Sequence, residues 1–205
     1  MFDLRSILGM PAVYRLFGRL IGADRCRSIY VKEYIRPKSK DRVLDIGCGP
    51  GDILEYLGDV EYVGFDMDAR YIDAAKKRFR GRGAFFRGNV SEETIKEYSG
   101  FDIVLANGVL HHLNDAEAMG LLRLAKKALK PSGRLVTLDG CLAPKQSNIQ
   151  SGIARYIILK DRGQYVRTEE DYVSLASGIF RDVRAECRSD LLNIPYTHII
   201  MVCMG

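Results

Sequence analysis

A short apolar run leads directly into three alternating glycines in the stretch Val43-Leu44-Asp45-Ile46-Gly47-Cys48-Gly49-Pro50-Gly51-Asp52. The apolar, partly β-branched residues at its start are typical of a buried strand. Glycines placed directly after such a strand let the backbone turn tightly and approach a ligand, because no Cβ stands in the way. We therefore predict a strand over 43–46, a ligand-binding turn, and a helix from about Gly51 to Leu57.

Acidic residues distinguish this turn from a dinucleotide-binding turn of similar spacing. Asp52 stands where the dinucleotide fingerprint has its last glycine. Asp45 would repel a pyrophosphate and attract an ammonium group, and Pro50 lacks an N–H that a phosphate could use. Asp66 follows 21 residues after Asp45, at the end of the next apolar run, where a carboxylate can accept hydrogen bonds from ribose hydroxyls. The predicted ligand has a ribose and a cationic amine but no pyrophosphate.

Short apolar runs alternate with longer amphipathic stretches over the rest of the chain. This alternation implies crossover units and a mainly parallel sheet. We predict an α/β fold, a Rossmann-like three-layer sandwich with a seven-stranded sheet. The predicted strands cover 43–46, 62–65, 84–86, 101–105, 134–138, 181–187 and 198–203. The predicted helices cover 69–79, a segment capped by Ser91, 115–129 and 169–177, with a turn at 130–133 and two further helices at about 10–21 and 25–36.

These motifs, over about residues 42–140, resemble the class I S-adenosylmethionine-dependent methyltransferases, in the branch of small stand-alone enzymes that methylate metabolites. The resemblance implies S-adenosylmethionine as cofactor, with the ribose held by Asp66 and the adenine packed on Met67. Asn89 departs from the family, which often has Asp there, but an amide oxygen can still accept from the adenine amino group. The implied cofactor-binding residues are Asp45, Gly47, Cys48, Gly49, Asp66, Met67, Asn89, Val90 and Asn107.

Two adjacent histidines, His111 and His112, follow the predicted fourth strand beside the methyl-donor end of this pocket. A histidine there is a candidate general base at neutral pH. The alternative is that the pair serves only packing or capping at the start of a helix. We predict no metal site, because no third ligand has suitable spacing.

The formal net charge of +5 is concentrated in two segments of the chain. Residues 1–42 carry ten Lys or Arg against four Asp or Glu, and residues 141–167 carry five against one. Arginine clusters recognise phosphate or carboxylate, so we predict a small anionic acceptor, although a solvated basic face is the alternative. The candidate acceptor-binding residues are Tyr14, Arg19, Arg155, Tyr156, Arg162, Tyr165 and Arg167.

Length and composition indicate a single domain over 1–205, with N-terminal helices in 1–41 and a substrate cap in 141–180. No apolar run is long enough to span a bilayer, and the start of the chain lacks a secretory pattern. Five cysteines, never spaced C-x-x-C, argue against a disulfide framework and a zinc site. We expect a cytoplasmic protein, and the sequence leaves its oligomeric state open.

Three other functions compete with this interpretation. An RNA or other macromolecule methyltransferase would use the basic segments to hold phosphates, but Ala106-Asn107-Gly108-Val109 lacks the Asn/Asp-Pro-Pro-aromatic motif of base-modifying enzymes, and we expect no stable nucleic-acid partner. A nicotinamide-dependent reductase is suggested by Tyr156-x-x-x-Lys160, but such enzymes lack an acid at the place of Asp45. A non-catalytic cofactor-binding protein would keep the motifs without transferring a methyl group.

Overall fold

The computed structural model describes residues 21–142 and 164–205. Within these ranges seven strands form one sheet in the order β3-β2-β1-β4-β5-β7-β6, which confirms the predicted α/β fold. Only β7 runs antiparallel to its two neighbours, β5 and β6. The strands are β1 (Arg42–Ile46), β2 (Glu61–Asp66), β3 (Ala84–Arg87), β4 (Phe101–Asn107), β5 (Leu129–Gly140), β6 (Asp182–Arg188) and β7 (His198–Met204).

The order of the strands reverses direction between β1 and β4. From β1 the chain adds β2 and β3 on one side, then returns to place β4 on the other side of β1, and all of these pairs are parallel. Crossovers on opposite sides of such a point leave a crevice between the carboxyl ends of the two strands, which is where open α/β sheets bind ligands. The topology therefore places the predicted glycine turn at this crevice.

Helices cover both faces of the sheet. Successive residues of β4 point to opposite faces, so Ile103 packs in one core cluster with Ile72 of α2, and Val104 packs in the other with Leu122 of α4. None of the described helices is long and apolar enough to cross a membrane. The helices are α1 (Ala23–Tyr30, continued by a π-helical turn Val31–Ile35), α2 (Ala69–Arg78), α3 (Glu92–Glu97), α4 (Asp115–Ala128) and α5 (Glu169–Ser177).

Helix starts follow local sequence signals. The Ser91 hydroxyl accepts from the backbone N–H of Thr94, so Ser91 caps α3 as predicted. Capping boxes open α4 at Asn114 and α5 at Thr168, which fixes where these helices begin. The predicted second N-terminal helix at 25–36 corresponds to α1 and its π-helical turn. Nearly all of the predicted helix at 10–21 lies outside the described residues.

Two local predictions were wrong. The helix expected over 51–57 is a single 3-10 turn, Asp52–Glu55. The turn expected at 130–133 lies inside β5, where the pairing with β4 passes from Phe101↔Leu129 to Ile103↔Arg134. Residues 130–133 therefore form a bulge in the strand and not a separate turn. A Cβ at Gly133 would lie 2.8 Å from the carbonyl oxygen of Phe101, so glycine allows this close approach.

Candidate functional site

Asp45 lies near the carboxyl end of β1 with only 2% of its surface exposed. One carboxylate oxygen, Oδ2, accepts a hydrogen bond of 2.6 Å from the hydroxyl of Tyr62. The other, Oδ1, is buried with no hydrogen-bond partner among residues 21–142 and 164–205. Burial, reinforced by the charge of Asp66 and opposed by the Tyr62 hydrogen bond, raises the pKa of Asp45 to about 7. A ligand that brings a cation to Oδ1 would satisfy this oxygen and favour the ionised carboxylate.

The glycine turn that follows β1 comes close to the residues that follow β4. Gly47 has φ of 76°, and a Cβ on it would lie 2.6 Å from Cγ2 of Val109, which follows β4. Gly49 has φ of 53°, and open space surrounds the place where its Cβ would stand. Any other residue would be strained at both positions, and at Gly47 it would also clash. The turn therefore brings bare backbone to the edge of the crevice.

Asp66 at the end of β2 is oriented by two backbone groups. Its Oδ2 accepts from the N–H of Gly49 at 2.9 Å, and its Oδ1 accepts from the N–H of Asp68 at 2.8 Å. An ionised carboxylate has about four lone-pair sites, so both oxygens can accept further hydrogen bonds. The glycine turn thus holds Asp66 in place while leaving it capacity for a ligand.

The residues predicted to contact adenine stand next to Asp66. Met67 is 62% exposed, unusual for a large apolar side chain in this protein. The N–H of Gly88 donates to the carbonyl of Asp66 at 2.9 Å, which brings the following residues beside β2. Among them, Asn89 is exposed and Val90 packs partly against the core. The structure thus brings Asp66, Met67, Asn89 and Val90 together.

The side chain of Cys48 contributes to packing and not to the surface of the turn. The thiol is buried against Gly64 of β2, where a Cβ would lie 2.8 Å from its Sγ. Burial raises the pKa of this thiol, which keeps it protonated. Its backbone N–H donates to the carbonyl of Phe65, as does that of Gly47. Cys48 therefore shapes the turn through its main chain.

Asn107 ends β4 and is joined to α1. Its Oδ1 accepts a hydrogen bond of 2.7 Å from the hydroxyl of Tyr30, which is almost fully buried. Burial and the nearby carboxylates of Asp45 and Asp139 raise the pKa of Tyr30, so its hydroxyl keeps the proton that it donates. Sequence reasoning missed Tyr30, since a tyrosine in a predicted helix gives no sign of a partner 77 positions away.

The predicted pair of histidines separates into a buried and an exposed residue. His111 is 3% exposed, whereas His112 faces outward. The Nδ1 of His111 lies 2.8 Å from Oδ1 of Asp139, a buried residue near the end of β5. Asp139 was missed at the level of sequence, although an acid directly after a predicted strand is the same signal that identified Asp66.

Arg167 is a structural residue in the described part of the chain, which corrects its place among the candidate acceptor ligands. It is 7% exposed, and its five N–H donors make five hydrogen bonds. The partners are the carbonyls of Leu110, Leu113 and Tyr165 and, twice, the carboxylate of Asp115. With every donor committed, Arg167 has none left for an acceptor.

Tyr165 is the described acceptor candidate that remains accessible. Tyr165 is 41% exposed, and its N–H donates to the carbonyl of His111 at 3.0 Å. It therefore stands beside the histidine turn, the 3-10 turn Leu110–His112 that follows β4. The other candidates lie outside the described residues, namely Tyr14, Arg19, Arg155, Tyr156 and Arg162.

The strand ends have the chemistry that S-adenosylmethionine requires. The buried, unpartnered Oδ1 of Asp45 suits an ammonium group. The oriented carboxylate of Asp66 suits ribose hydroxyls, and the exposed thioether of Met67 suits the face of adenine. These features lie at the ends of adjacent strands, so one extended ligand can reach all of them.

Comparison with known proteins gives the same family. Residues 44–135 match the model of a methyltransferase domain. Over 192 residues, 89% of this chain, it is 31% identical to phosphoethanolamine N-methyltransferase 1 of Arabidopsis thaliana. It is 28% identical to 27-O-demethylrifamycin SV methyltransferase of Amycolatopsis mediterranei over 58% of this chain and 45% of that protein. The chain spans only 38% of the Arabidopsis protein and 31% of its wheat counterpart.

Solved structures share the fold. The plantazolicin methyltransferase BpumL, determined with a monoazolic desmethylPZN analogue and S-adenosylhomocysteine, superposes with a TM-score of 0.62 over 92% of this chain and 85% of that one, at 16% identity. At this identity the likeness speaks for the fold alone. The motifs, the family model over residues 44–135 and the sequence relatives agree on a class I S-adenosylmethionine-dependent methyltransferase domain.

Proposed function

We propose that this protein transfers the methyl group of S-adenosylmethionine to nitrogen or oxygen of a small anionic metabolite. The observation that carries the proposal is the buried carboxylate of Asp45, which lies near the carboxyl end of β1 and whose Oδ1 has no partner in the described residues. The cofactor supplies an electron-poor methyl carbon, so the protein has to align the acceptor and take up its proton.

The negative charge of the acceptor is supported by the two basic segments, 1–42 and 141–167. Since Arg167 is committed to the fold, the charge would be recognised by other basic residues of these segments, with Tyr165 at the rim. The relatives named as phosphoethanolamine N-methyltransferases and as a rifamycin O-methyltransferase favour small acceptors and leave both nitrogen and oxygen open.

Proton removal is assigned to the histidine turn after β4. His111 is held by Asp139, and His112 stands beside it with the two ring centroids 4.1 Å apart. A neutral imidazole takes up a proton readily near pH 7. Either ring therefore has the chemistry of a general base for an amine or hydroxyl acceptor.

Calorimetry with S-adenosylmethionine, S-adenosylhomocysteine and NADPH tests the cofactor. We expect the two adenosyl ligands to bind and NADPH not to bind. Asp66→Ala should weaken adenosyl binding at least about tenfold, because it removes charged acceptors of the ribose hydroxyls. Asp68→Ala is the matched control: it removes a nearby carboxylate that caps α2 and pairs with Arg70, so affinity should stay within about twofold. Binding of NADPH alone would refute the proposal.

The same preparation then tests the acceptor with methyl-labelled cofactor. Phosphoethanolamine and ethanolamine form a matched pair, since they differ only by the phosphate. Transfer to phosphoethanolamine that weakens with added salt, without transfer to ethanolamine, would support an anionic acceptor. Preference for a neutral acceptor, indifferent to salt, would contradict it. Methylation of RNA without methylation of any metabolite would instead favour the macromolecular alternative.

A further inference from the structure

The carboxylate of Asp139 holds His111 by two hydrogen bonds to one oxygen. Oδ1 lies 2.8 Å from the ring Nδ1 and also accepts from the backbone N–H of His111 at 3.2 Å. Both residues are buried, and they come from different strand ends, β4 and β5. Contact with both the ring and the main chain fixes the orientation of the imidazole relative to the sheet.

The turn that carries the two histidines is also fixed from outside. The guanidinium of Arg167 donates to the carbonyl of Leu110 at 2.9 Å and to that of Leu113 at 2.6 Å. These carbonyls stand immediately before His111 and after His112. Asp139 thus holds His111 itself, and Arg167 holds the residues before and after the two histidines. These contacts restrict rotation of the buried imidazole.

Two tyrosines whose pKa values respond to the charge of Asp139 donate their protons elsewhere. Tyr30, whose pKa is raised by burial and by nearby carboxylates including Asp139, donates its hydroxyl to Asn107. Tyr172 of α5 feels the same charge and donates its hydroxyl to the carbonyl of Gly140 at 3.0 Å. The guanidinium of Arg167 stacks over the ring of Tyr172. Among these groups of the described residues, only His111 has a ring nitrogen within hydrogen-bond distance of the Asp139 carboxylate.

We propose that Asp139 is the positioning residue that keeps the proton of neutral His111 on Nδ1 and so makes Nε2 the proton acceptor in methyl transfer. This inference rests on the proposed function. The acceptor's lone pair forms the bond to the methyl carbon, and the carbon–sulfur electron pair stays on sulfur. The acceptor's proton passes to Nε2, which leaves an imidazolium paired with the Asp139 carboxylate. Release of that proton to solvent restores the enzyme.

The position of the proton can be measured without any acceptor. The chain has three histidines, so two-bond ¹H–¹⁵N spectra of protein labelled at the imidazole nitrogens can be assigned with His112→Gln and His198→Gln variants. We expect the His111 ring to be protonated at Nδ1 and unprotonated at Nε2 in the wild type, and to lose this preference in Asp139→Asn. A wild-type ring protonated at Nε2 would overturn the proposal.

Kinetics on an acceptor that the wild type methylates tests the catalytic consequence. Asp139→Asn should lower kcat by about 100-fold or more, leave the dissociation constant of S-adenosylmethionine within about twofold, and move the midpoint of the kcat–pH profile to lower pH. Thr137→Val is the matched control, since Thr137 is equally buried two residues earlier on β5 and its Oγ1 has no partner in the described part of the chain.

The two proposals fail in different ways. A wild-type kcat and an unmoved pH profile in Asp139→Asn would overturn the positioning role even where methyl transfer is confirmed. A wild type that binds S-adenosylmethionine but methylates nothing would count against the proposed function, and the spectra would still decide the tautomer.

If Asp139→Asn fails to fold, Asp139→Glu serves in its place, because it keeps the charge while displacing the carboxylate. The same loss of kcat is expected, and a wild-type kcat would overturn the positioning role.

Discussion

At the scale of single residues, the protonation of Asp45 is the property that a bound ligand would change. Asp45 is buried beside Tyr62, and its carboxyl has a pKa of about 7. A carboxyl whose pKa is raised on folding lowers the free energy of unfolding as pH rises above its pKa in the unfolded chain, 3.8 for Asp45. This loss of stability is complete once pH exceeds the folded pKa of about 7. Binding of an ammonium group would favour the ionised form, so the cofactor offsets a cost that the empty crevice carries.

Cofactor binding should therefore depend on pH through Asp45. Between about pH 5.5 and pH 7, the affinity for S-adenosylmethionine should rise about tenfold or more, with uptake of the ligand accompanied by release of a proton. Above about pH 8 the ligand's own amino group begins to lose its proton, and the rise should stop. Calorimetry in buffers of different ionisation enthalpy measures both quantities.

Asp45→Asn should bind more weakly at pH 7 and show neither the rise nor the proton release. His112→Gln is the control, because it removes an exposed imidazole that follows the neighbouring strand β4, and it should keep both. Equal pH dependence in wild type and Asp45→Asn would contradict this account.

At the scale of elements, a buried arginine joins two segments that the sequence separates by more than fifty residues. Arg167 ties the 164–167 segment to the turn between β4 and α4, because its guanidinium donates to the carbonyls of Leu110 and Leu113. Unsatisfied buried polar groups cost stability, so this side chain belongs to the scaffold of the histidine turn.

Replacement of Arg167 should accordingly affect folding before it affects acceptor recognition. We expect Arg167→Met to lower the free energy of unfolding by about 3 kcal/mol, measured by urea denaturation. Arg184→Met is the control, because Arg184 is an exposed arginine paired with Asp182 and should cost less than about 0.5 kcal/mol. Unchanged stability together with a higher KM for the acceptor would return Arg167 to the acceptor site.

At the scale of the whole molecule, α1 makes two hydrogen bonds to residues at the carboxyl ends of β1 and β4. Tyr30 donates to Asn107 at the end of β4, and Arg27 donates to Asp52 just after the glycine turn. Asp52 also pairs with Arg78 of α2, so one buried acid links both helices to the turn. α1 is thereby joined to residues of the proposed cofactor site, although no residue of the glycine motif lies in it.

Removing one hydroxyl tests this connection. Tyr30→Phe should weaken binding of S-adenosylmethionine several-fold, because Asn107 loses the bond that orients its amide, and it should cost about 1 kcal/mol of stability. Tyr34→Phe is the matched control on the same helical segment, since its hydroxyl bonds to Glu186 at an exposed site. Its affinity for the cofactor should be unchanged. Equal affinities in the two variants would show that α1 only packs against the sheet.

The sequence predicted most features that depend on neighbouring residues, although the helix at 51–57 and the turn at 130–133 were wrong. The glycine turn, Asp45 and Asp66 are predictable because strand periodicity, glycine and acid occur within a few positions of one another. Tyr30 depends on a partner 77 positions away, and such a distance leaves no mark in a local pattern. Asp139 carries a local signal in its place after a predicted strand, but its partner His111 is 28 positions away. The prediction of Arg167 as an acceptor ligand depends on charge clustering, which is visible in sequence, whereas the burial of Arg167 is decided by tertiary contacts.

The last strand in the sequence, β7, lies in the sheet between two strands that precede it in the chain. β7 pairs with β5 on one side and β6 on the other, from His198 to Met204. During synthesis, β6 emerges from the ribosome with no place to pair until β7 follows and is inserted beside it. β6 can therefore join the sheet only after residues 198–204 have been made, because β7 is the strand through which it is hydrogen-bonded to the rest.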